Sequence, residues 1–355
     1  MPNLENRVQG LLLGTAVADS LGLPLEGLTP KRIANLHWAK HLRQRFFFHH
    51  GLWSDDTEHS IMLTQAMLAS GEKPDLFAKK LAWELRWWLV GLPAGVGLAT
   101  GRSIFKLWLG FPPRKSGVSS AGNGPMMRTA PIALVSDPTM RRKLVKTQTT
   151  LTHTDPKAFY AAWAVTELCV LMLHSDQAPP SDQIFSVFRK VTDSKDWHNL
   201  ITSIEDACDR KATLKELITN LDGSPTRGIS GYCYHTLAAI TYCGIKNSWS
   251  YQNTITDLLI AGGDTDTTAA IAGAICGSLE GTTGIPSTWS RGLVEFPCST
   301  LKLSQLASAL IARKPLRVRA RWSPLLLLRN LFFLTIVLSH GLLRLLPARL
   351  LRLFS

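Results

Sequence analysis

Two short acidic stretches, far apart in the chain, carry the residue types that could do chemistry. The first is Ala-Gly-Gly-Asp-Thr-Asp-Thr-Thr at 261–268, which runs directly into the small-residue apolar segment Ala269 to Leu279. Gly262 and Gly263 permit a sharp reversal and Asp264 is a strong helix N-cap candidate, so the chain should turn here and begin a helix. Residues two apart diverge by roughly 200° on a regular helix, so Asp264 and Asp266 converge only if Asp264 lies at or before the cap. Taken alone, such a start is explained by the helix macrodipole, which favours an N-terminal Asp by ~0.3–1 kcal/mol. The second stretch, Trp53-Ser54-Asp55-Asp56-Thr57, precedes another apolar run from Ile61 to Leu68. Two acidic, hydroxyl-bearing helix starts in one mostly apolar chain read as two halves of a hard-cation site. Their carboxylate and hydroxyl oxygens suit Mg2+, Mn2+ or Ca2+ rather than zinc.

Other candidates are weaker in isolation. Glu26 sits just beyond a first helix that Gly22 and Pro24 should stop. The run Ser119-Ser120-Ala121-Gly122-Asn123-Gly124, followed by helical Pro125-Met126-Met127-Arg128, has the small residues of an anion-binding nest or a helix-mouth phosphate site. Thr152-His153-Thr154-Asp155-Pro156 opens a helix with cap and proline in the preferred order, leaving His153 just outside it to meet a ligand or a backbone carbonyl. His37 and His41 have the spacing of a metal pair but no third ligand, and with His49, His50 and Phe46 to Phe48 they read as a surface or gate loop. Trp83, Trp87 and Trp88 read as core packing.

These residues must be positioned by helices. Val8, Leu11, Leu12, Thr15 and Ala16 recur at helical spacing in a first helix. The order of a secretory signal is missing there, with Glu5 in the wrong place for one. Helical patterns continue at 157–173, 181–192, 198–209, 212–220, 231–243 and 251–260, and no stretch alternates as a strand would. The fold class is therefore all-α. A 45% hydrophobic fraction supplies a core, and six scattered cysteines without a paired motif read as reduced thiols of a cytoplasmic protein. The formal charge of +13 belongs mainly to the ten Lys and Arg from Lys302 onward, where Asp and Glu are absent, leaving roughly +3 for the rest. Direct nucleic-acid binding by the main domain is not expected.

Taken together, these pieces give the chain a resemblance to the ADP-ribosylglycohydrolase family. It rests on Ala-Asp-Ser-Leu-Gly at 18–22 with Glu26, Ser-Asp-Asp-Thr at 54–57, Gly-Asn-Gly-Pro-Met-Met-Arg at 122–128, Thr152-His153, and Gly-Gly-Asp-Thr-Asp-Thr at 262–267. The resemblance implies a compact orthogonal multi-helix bundle with a binuclear Mg2+ centre, Mn2+ being a possible substitute. It implies Ser54, Asp55, Asp56, Asp264, Asp266 and Thr267 as metal ligands and Glu26 at the rim, with Glu26 or Asp55 handling the proton. It sets Gly122, Asn123, Gly124 and His153 against the ADP-ribose, with Ser120 as a further substrate contact. The implied reaction is hydrolysis at the anomeric carbon of ADP-ribose carried by a modified protein or small molecule. Two departures stand out: Ser54 where the family usually has Thr, and Ala18 where it usually has Gly. The alternatives are a non-catalytic ADP-ribose binding module and a metal-dependent nucleotide-sugar transferase, the latter wanting a sheet that this sequence lacks. A calcium loop counted from Asp264 fails, because its Gly and Glu positions hold Ala269 and Ile275.

Composition sets a basic hydrophobic tail at 313–355 apart from residues 1–312, which the resemblance implies to be the catalytic domain. Leu325 to Leu346 is long enough to span a bilayer at about 1.5 Å per residue, yet contains Arg329, Asn330, His340 and Arg344. At about 100° per residue those four form one stripe, the pattern of an amphipathic helix. An interfacial anchor on anionic membrane, assisted by the basic flank Arg313 to Arg321, is expected from the cytoplasmic side. A single span, or packing of this helix on the domain or a partner, are the other readings.

Overall fold

The computed structural model describes residues 2–36 and 41–345. His37, and with it the His37/His41 spacing, lies outside the described residues, as do Arg349 and Arg352. The chain folds as helices α1 (Leu4–Gly22), α2 (Pro30–Ala34), α3 (Asp55–Ser70), α4 (Pro74–Val90), α5 (Leu98–Trp108) and α6 (Gly124–Thr129). There follow α7 (Pro138–Thr150), α8 (Pro156–Leu173), α9 (Ser181–Arg189), α10 (Lys195–Asp209), α11 (Leu214–Asn220) and α12 (Cys233–Lys246). The last five are α13 (Tyr251–Ala261), α14 (Thr265–Glu280), α15 (Ser287–Ser290), α16 (Thr300–Ile311) and α17 (Pro324–Leu345). Among the described residues β pairing is confined to isolated bridges between loops, such as Ile229 with Gly263 and Gly122 with Tyr232. The fold is the all-α bundle expected from the periodicities.

Helix α1 starts at Asn3, whose side chain accepts the Asn6 N–H at 2.9 Å. It packs most extensively on α14, with α16 and α3 also against it. The pairing is antiparallel and brings backbone onto backbone. A Cβ on Gly10 would lie 2.3 Å from the Gly277 carbonyl oxygen, and one on Gly14 would lie 2.4 Å from that of Gly273. Reciprocally, a Cβ on Gly277 would lie 2.1 Å from the Gly10 oxygen. Only glycine permits this approach. It continues to the end of α1, where Gly22 abuts the Asp266 backbone and Thr265 Oγ1 donates to the Gly22 carbonyl at 2.8 Å.

Aromatic packing on α4 departs from the sequence reading. Trp88 is buried and donates from Nε1 to Glu58 at 2.6 Å, but Trp83 is exposed and stacks edge-on against Trp87, itself only partly buried. Only one of the three indoles belongs to the core. His41, His49 and His50 lie on the surface as expected, whereas Phe46 between them is buried against Phe333 of α17.

The close packing generates a test. Replacing Gly277 with Ala should destabilise the fold by about 1–3 kcal/mol, because neither backbone can yield. Gly341→Ala on α17, where a Cβ meets nothing within 4 Å, should be neutral or gain up to ~1 kcal/mol. Urea unfolding of both variants measures the difference, and equal midpoints would contradict the packing argument.

Candidate active site

Two helix N-termini form the site, and α1 positions both. Ser54 is the N-cap of α3, its Oγ accepting the Asp56 N–H at 3.2 Å. Asp19, on the last turn of α1 and fully buried, accepts the Ser54 N–H at 3.0 Å, the Thr57 N–H at 3.1 Å and the Thr57 hydroxyl at 2.5 Å. One carboxylate thereby satisfies backbone donors that the first turn of α3 leaves over.

At α14 the reversal is made by Gly262 and Gly263, with φ of 68° and 86°. Asp264 then occupies the N-cap position, but its side chain makes no cap bond. Its carboxylate instead accepts from Asn123 Nδ2 at 2.7 Å, while the same nitrogen donates to Thr236 Oγ1 at 3.1 Å. Thr267 Oγ1 donates to Asp56 Oδ2 at 3.2 Å and Ser54 Oγ donates to that oxygen at 3.1 Å, so the two acidic mouths meet at Asp56. The other oxygen, Asp56 Oδ1, is buried without a hydrogen-bond partner.

Above this junction lies a cavity of about 400 Å3. Glu26, Ser54, Asp55, Asp264, Asp266 and Thr267 line its acidic side, and Ser120, Gly122, Asn123, Gly124 and His153 line another. Every sequence-predicted site residue therefore faces one void except Asp56, which lies beneath it, 1% exposed.

Crowded like charge dominates the electrostatics. Burial, followed by the charges of Asp19 and Glu26, pushes Asp55 well above the ordinary carboxylate range. Burial and the charges of Asp19, Asp55 and Asp264 do the same to Asp56, and burial with Glu26, Asp56, Asp264 and Asp19 to Asp266. Burial also raises Asp264, and it lifts Asp19 to about 6 against the hydrogen bonds it accepts. Among the described residues no ion pair involves Asp55, Asp56, Asp264 or Asp266.

No three His, Cys, Asp or Glu side chains among the described residues converge tightly enough to hold a metal ion as they stand. The donor chemistry nonetheless fits a hard cation. The donors are all oxygen, the acids repel one another, and the orphaned Asp56 Oδ1 is a buried acceptor that a divalent ion would satisfy.

Beneath the opposite side lies Arg128, fully buried on α6. It donates to Gln148 Oε1 at 2.7 Å, to the Gln148 carbonyl at 3.1 Å and to Thr152 Oγ1 at 2.6 Å, and its Nη1 meets His59 Nδ1 at 3.2 Å. Burial lowers it to about 9 while the charge of Asp55 opposes that shift. Thr152 Oγ1 already accepts from Arg128, and among the described residues His153 Nδ1, at 2.9 Å, is the acceptor within reach of the buried Thr152 hydroxyl proton. This network assigns the His153 proton to Nε2, the nitrogen beside Gly122. Burial, with Arg128, lowers His153 to about 3, so the ring is a neutral donor at the cavity wall.

The anion-nest expectation for 119–124 needs correction. The Gly122 N–H donates to Ser120 Oγ at 3.2 Å and the Asn123 N–H to the Gly231 carbonyl at 3.0 Å, so these two donors are already spent. Sequence reasoning also missed Asp19 as a positioning group and Phe333 and Val337 of α17 as cavity walls. An acid in the interior of an apolar helix was the available signal for Asp19.

The family model for ADP-ribosylglycohydrolase matches residues 1–319. The chain is 25% identical over 296 residues to the ADP-ribosyl-[dinitrogen reductase] glycohydrolase of Rhodospirillum rubrum, covering 81% of this chain and 90% of that protein. It is 25% identical over 331 residues to the ADP-ribosylarginine hydrolase Tri1 of Pseudomonas putida (strain GB-1), covering 87% and 79% respectively. A solved structure described as an ADP-ribosylglycohydrolase-related protein complex shares the fold with a TM-score of 0.61 at 24% identity, covering 88% of this chain and 99% of that one.

The raised acids fix the sign of a pH effect. In the metal-free protein each holds its proton more tightly than in the unfolded chain, so its stabilising share is full below the unfolded value and is lost as pH rises through the folded one. A bound cation replaces those protons. The Mg2+-dependent rise in melting temperature should therefore grow as pH rises above the unfolded carboxylate range of about 4, with the buried neutral histidines cancelling in the difference. Calorimetric melts with Mg2+ and with chelator measure it, and an increment that shrinks with rising pH would refute the assignment.

Proposed function

This chain belongs to the ADP-ribosylglycohydrolase family, and on that premise we propose that it cleaves, with Mg2+, the bond between the anomeric carbon of ADP-ribose and an acceptor. The observation carrying the reading is the junction of two acidic helix mouths through Thr267 and Asp56 beneath a cavity whose far side presents Asn123 and His153. Ser54, Asp55, Asp56, Asp264, Asp266 and Thr267 would hold a pair of Mg2+ ions, with Mn2+ able to substitute. Such ions supply Lewis-acid charge that orients ribose hydroxyls and lowers the pKa of water.

The chain's own residues account for the rest. Water adds to the anomeric carbon as the bond to the acceptor nitrogen or oxygen breaks, through an oxocarbenium-like state that nearby negative charge stabilises. The electron pair leaves with the acceptor. Glu26 at the rim, or else Asp55, takes the proton from water and returns it to the departing atom. The neutral His153, held by Thr152, offers Nε2–H to the ligand. Asn123 fixes the direction of the Asp264 carboxylate.

The Rhodospirillum relative is named for ADP-ribosyl dinitrogen reductase and the Pseudomonas one for ADP-ribosylarginine. By extension the substrate class here is an ADP-ribosylated protein, with a modified small molecule as the second choice. A panel of arginine-linked, serine-linked, nucleic-acid-linked and small-molecule ADP-ribose tests the proposal. ADP-ribose should be released from at least one member with Mg2+ and not with chelator, and Asp266→Ala should lower the rate at least roughly 100-fold. Calorimetric binding of ADP-ribose with no release from any member would instead establish a binding module.

A further inference from the structure

Among the described residues three helical segments are long and apolar enough to cross a membrane, and two of them are used in the core. Leu4–Leu25 is 83% buried and Pro156–Leu173 is 67% buried, but Pro324–Leu342, the most apolar at a mean hydropathy of 1.8, is only 22% buried. It coincides with α17 and lies beyond the family match, which ends at residue 319.

The orientation of α17 inverts what its polar stripe suggests. Arg329, 3% exposed, pairs with Glu295 at 2.7 Å and donates to the Trp53 carbonyl at 2.5 Å. Asn330 donates to the Gly91 carbonyl at 2.7 Å, and the His340 ring meets Phe46 edge-on at 5.8 Å. These three members of the stripe therefore face the domain, and the side chain of Arg344 lies outside the described residues. At about 100° per residue, Leu328, Leu331, Leu338 and Leu342 point the other way, and all four are exposed. The apolar surface continues through Phe332, packed on Phe47, toward the exposed Phe48.

The basic flank is also partly committed. Arg317 and Arg321 pair with Glu84 at 2.6 and 3.0 Å, and Arg319 with Glu58 at 3.4 Å. Beside the start of α17, however, one shallow cleft gathers Lys79, Lys80, Arg86 and Arg321 around the exposed Trp83. Trp322, next in the chain, is exposed as well. Tryptophan with Lys and Arg at the end of an apolar helix is the composition of a lipid headgroup boundary. From Lys302 to the last residue the sequence has no Asp or Glu. A second copy of this chain would bring basic ends to an equally basic surface, whereas anionic headgroups neutralise them.

We propose that α17 seats the protein on an anionic bilayer, its leucine face lying among the acyl chains while its opposite face stays on the domain. A membrane span is disfavoured by the same contacts, because withdrawing Arg329 would strand Glu295 as a buried unpaired charge. Phe333 and Val337, on the domain side, line the cavity, so the helix that meets lipid also walls the site.

Flotation of the full chain with vesicles tests this. It should float with phosphatidylcholine vesicles containing phosphatidylglycerol, more weakly with phosphatidylcholine alone, and less as salt rises. The double variant Leu328→Glu/Leu331→Glu alters only exposed positions outside the cavity, so it should keep its melting temperature and hydrolysis rate while its partition into vesicles falls on the order of 100-fold. Lys79→Glu/Lys80→Glu should remove the preference for phosphatidylglycerol without touching α17. A chain that stays unbound with phosphatidylglycerol vesicles overturns the proposal. So does a soluble dimer, detected by light scattering, that ignores vesicles and dissociates in the leucine double variant.

Discussion

One helix fixes two others, and the site exists because of it. The glycine face of α1 lets α14 approach to backbone contact, which sets where the α14 N-terminus ends, while Asp19 a few residues short of the same helix end binds the first turn of α3. The result is two helix mouths side by side, both presenting positive dipole ends toward a cluster of acids. Side chains larger than glycine along that contact would move α14 bodily and separate Asp266 from Asp56.

Stability and function pull in opposite directions at this junction. Buried acids with no cationic partner destabilise a folded chain, and here Asp55, Asp56 and Asp266 are each pushed upward by burial and by one another. The surrounding structure tolerates them by anchoring what lies around them: Asn123 on Asp264, Thr267 and Ser54 on Asp56, and the Arg128 network under His153. Such groups persist at functional sites because a ligand of opposite charge relieves them.

Much of this was legible in the chain because local chemistry and tertiary role coincide. Gly262-Gly263-Asp264 reads as a turn into a helix, and the structure makes that turn with both glycines at positive φ. The helices from α8 to α13 follow the apolar periodicity closely, since each buries one face in the same core. Asp19 was visible as a motif letter but not as the group that binds α3, because its partners Ser54 and Thr57 are remote in sequence. The nest at 119–124 is partly spent for a similar reason: the Gly231 carbonyl that consumes the Asn123 N–H comes from a distant loop. For α17 the stripe was readable and its direction was not. Polar stripes ordinarily face water, and only the buried Glu295 and the Trp53 and Gly91 carbonyls explain why this one faces inward.

The central claim is that the mouths of α3 and α14 share divalent cations. Anomalous diffraction from crystals of the protein grown or soaked with Mn2+ addresses it directly. The account predicts manganese density between Asp56 and Asp266, bounded by Ser54, Asp55, Asp264 and Thr267. Manganese bound elsewhere, or no density there at saturating concentration, would contradict it.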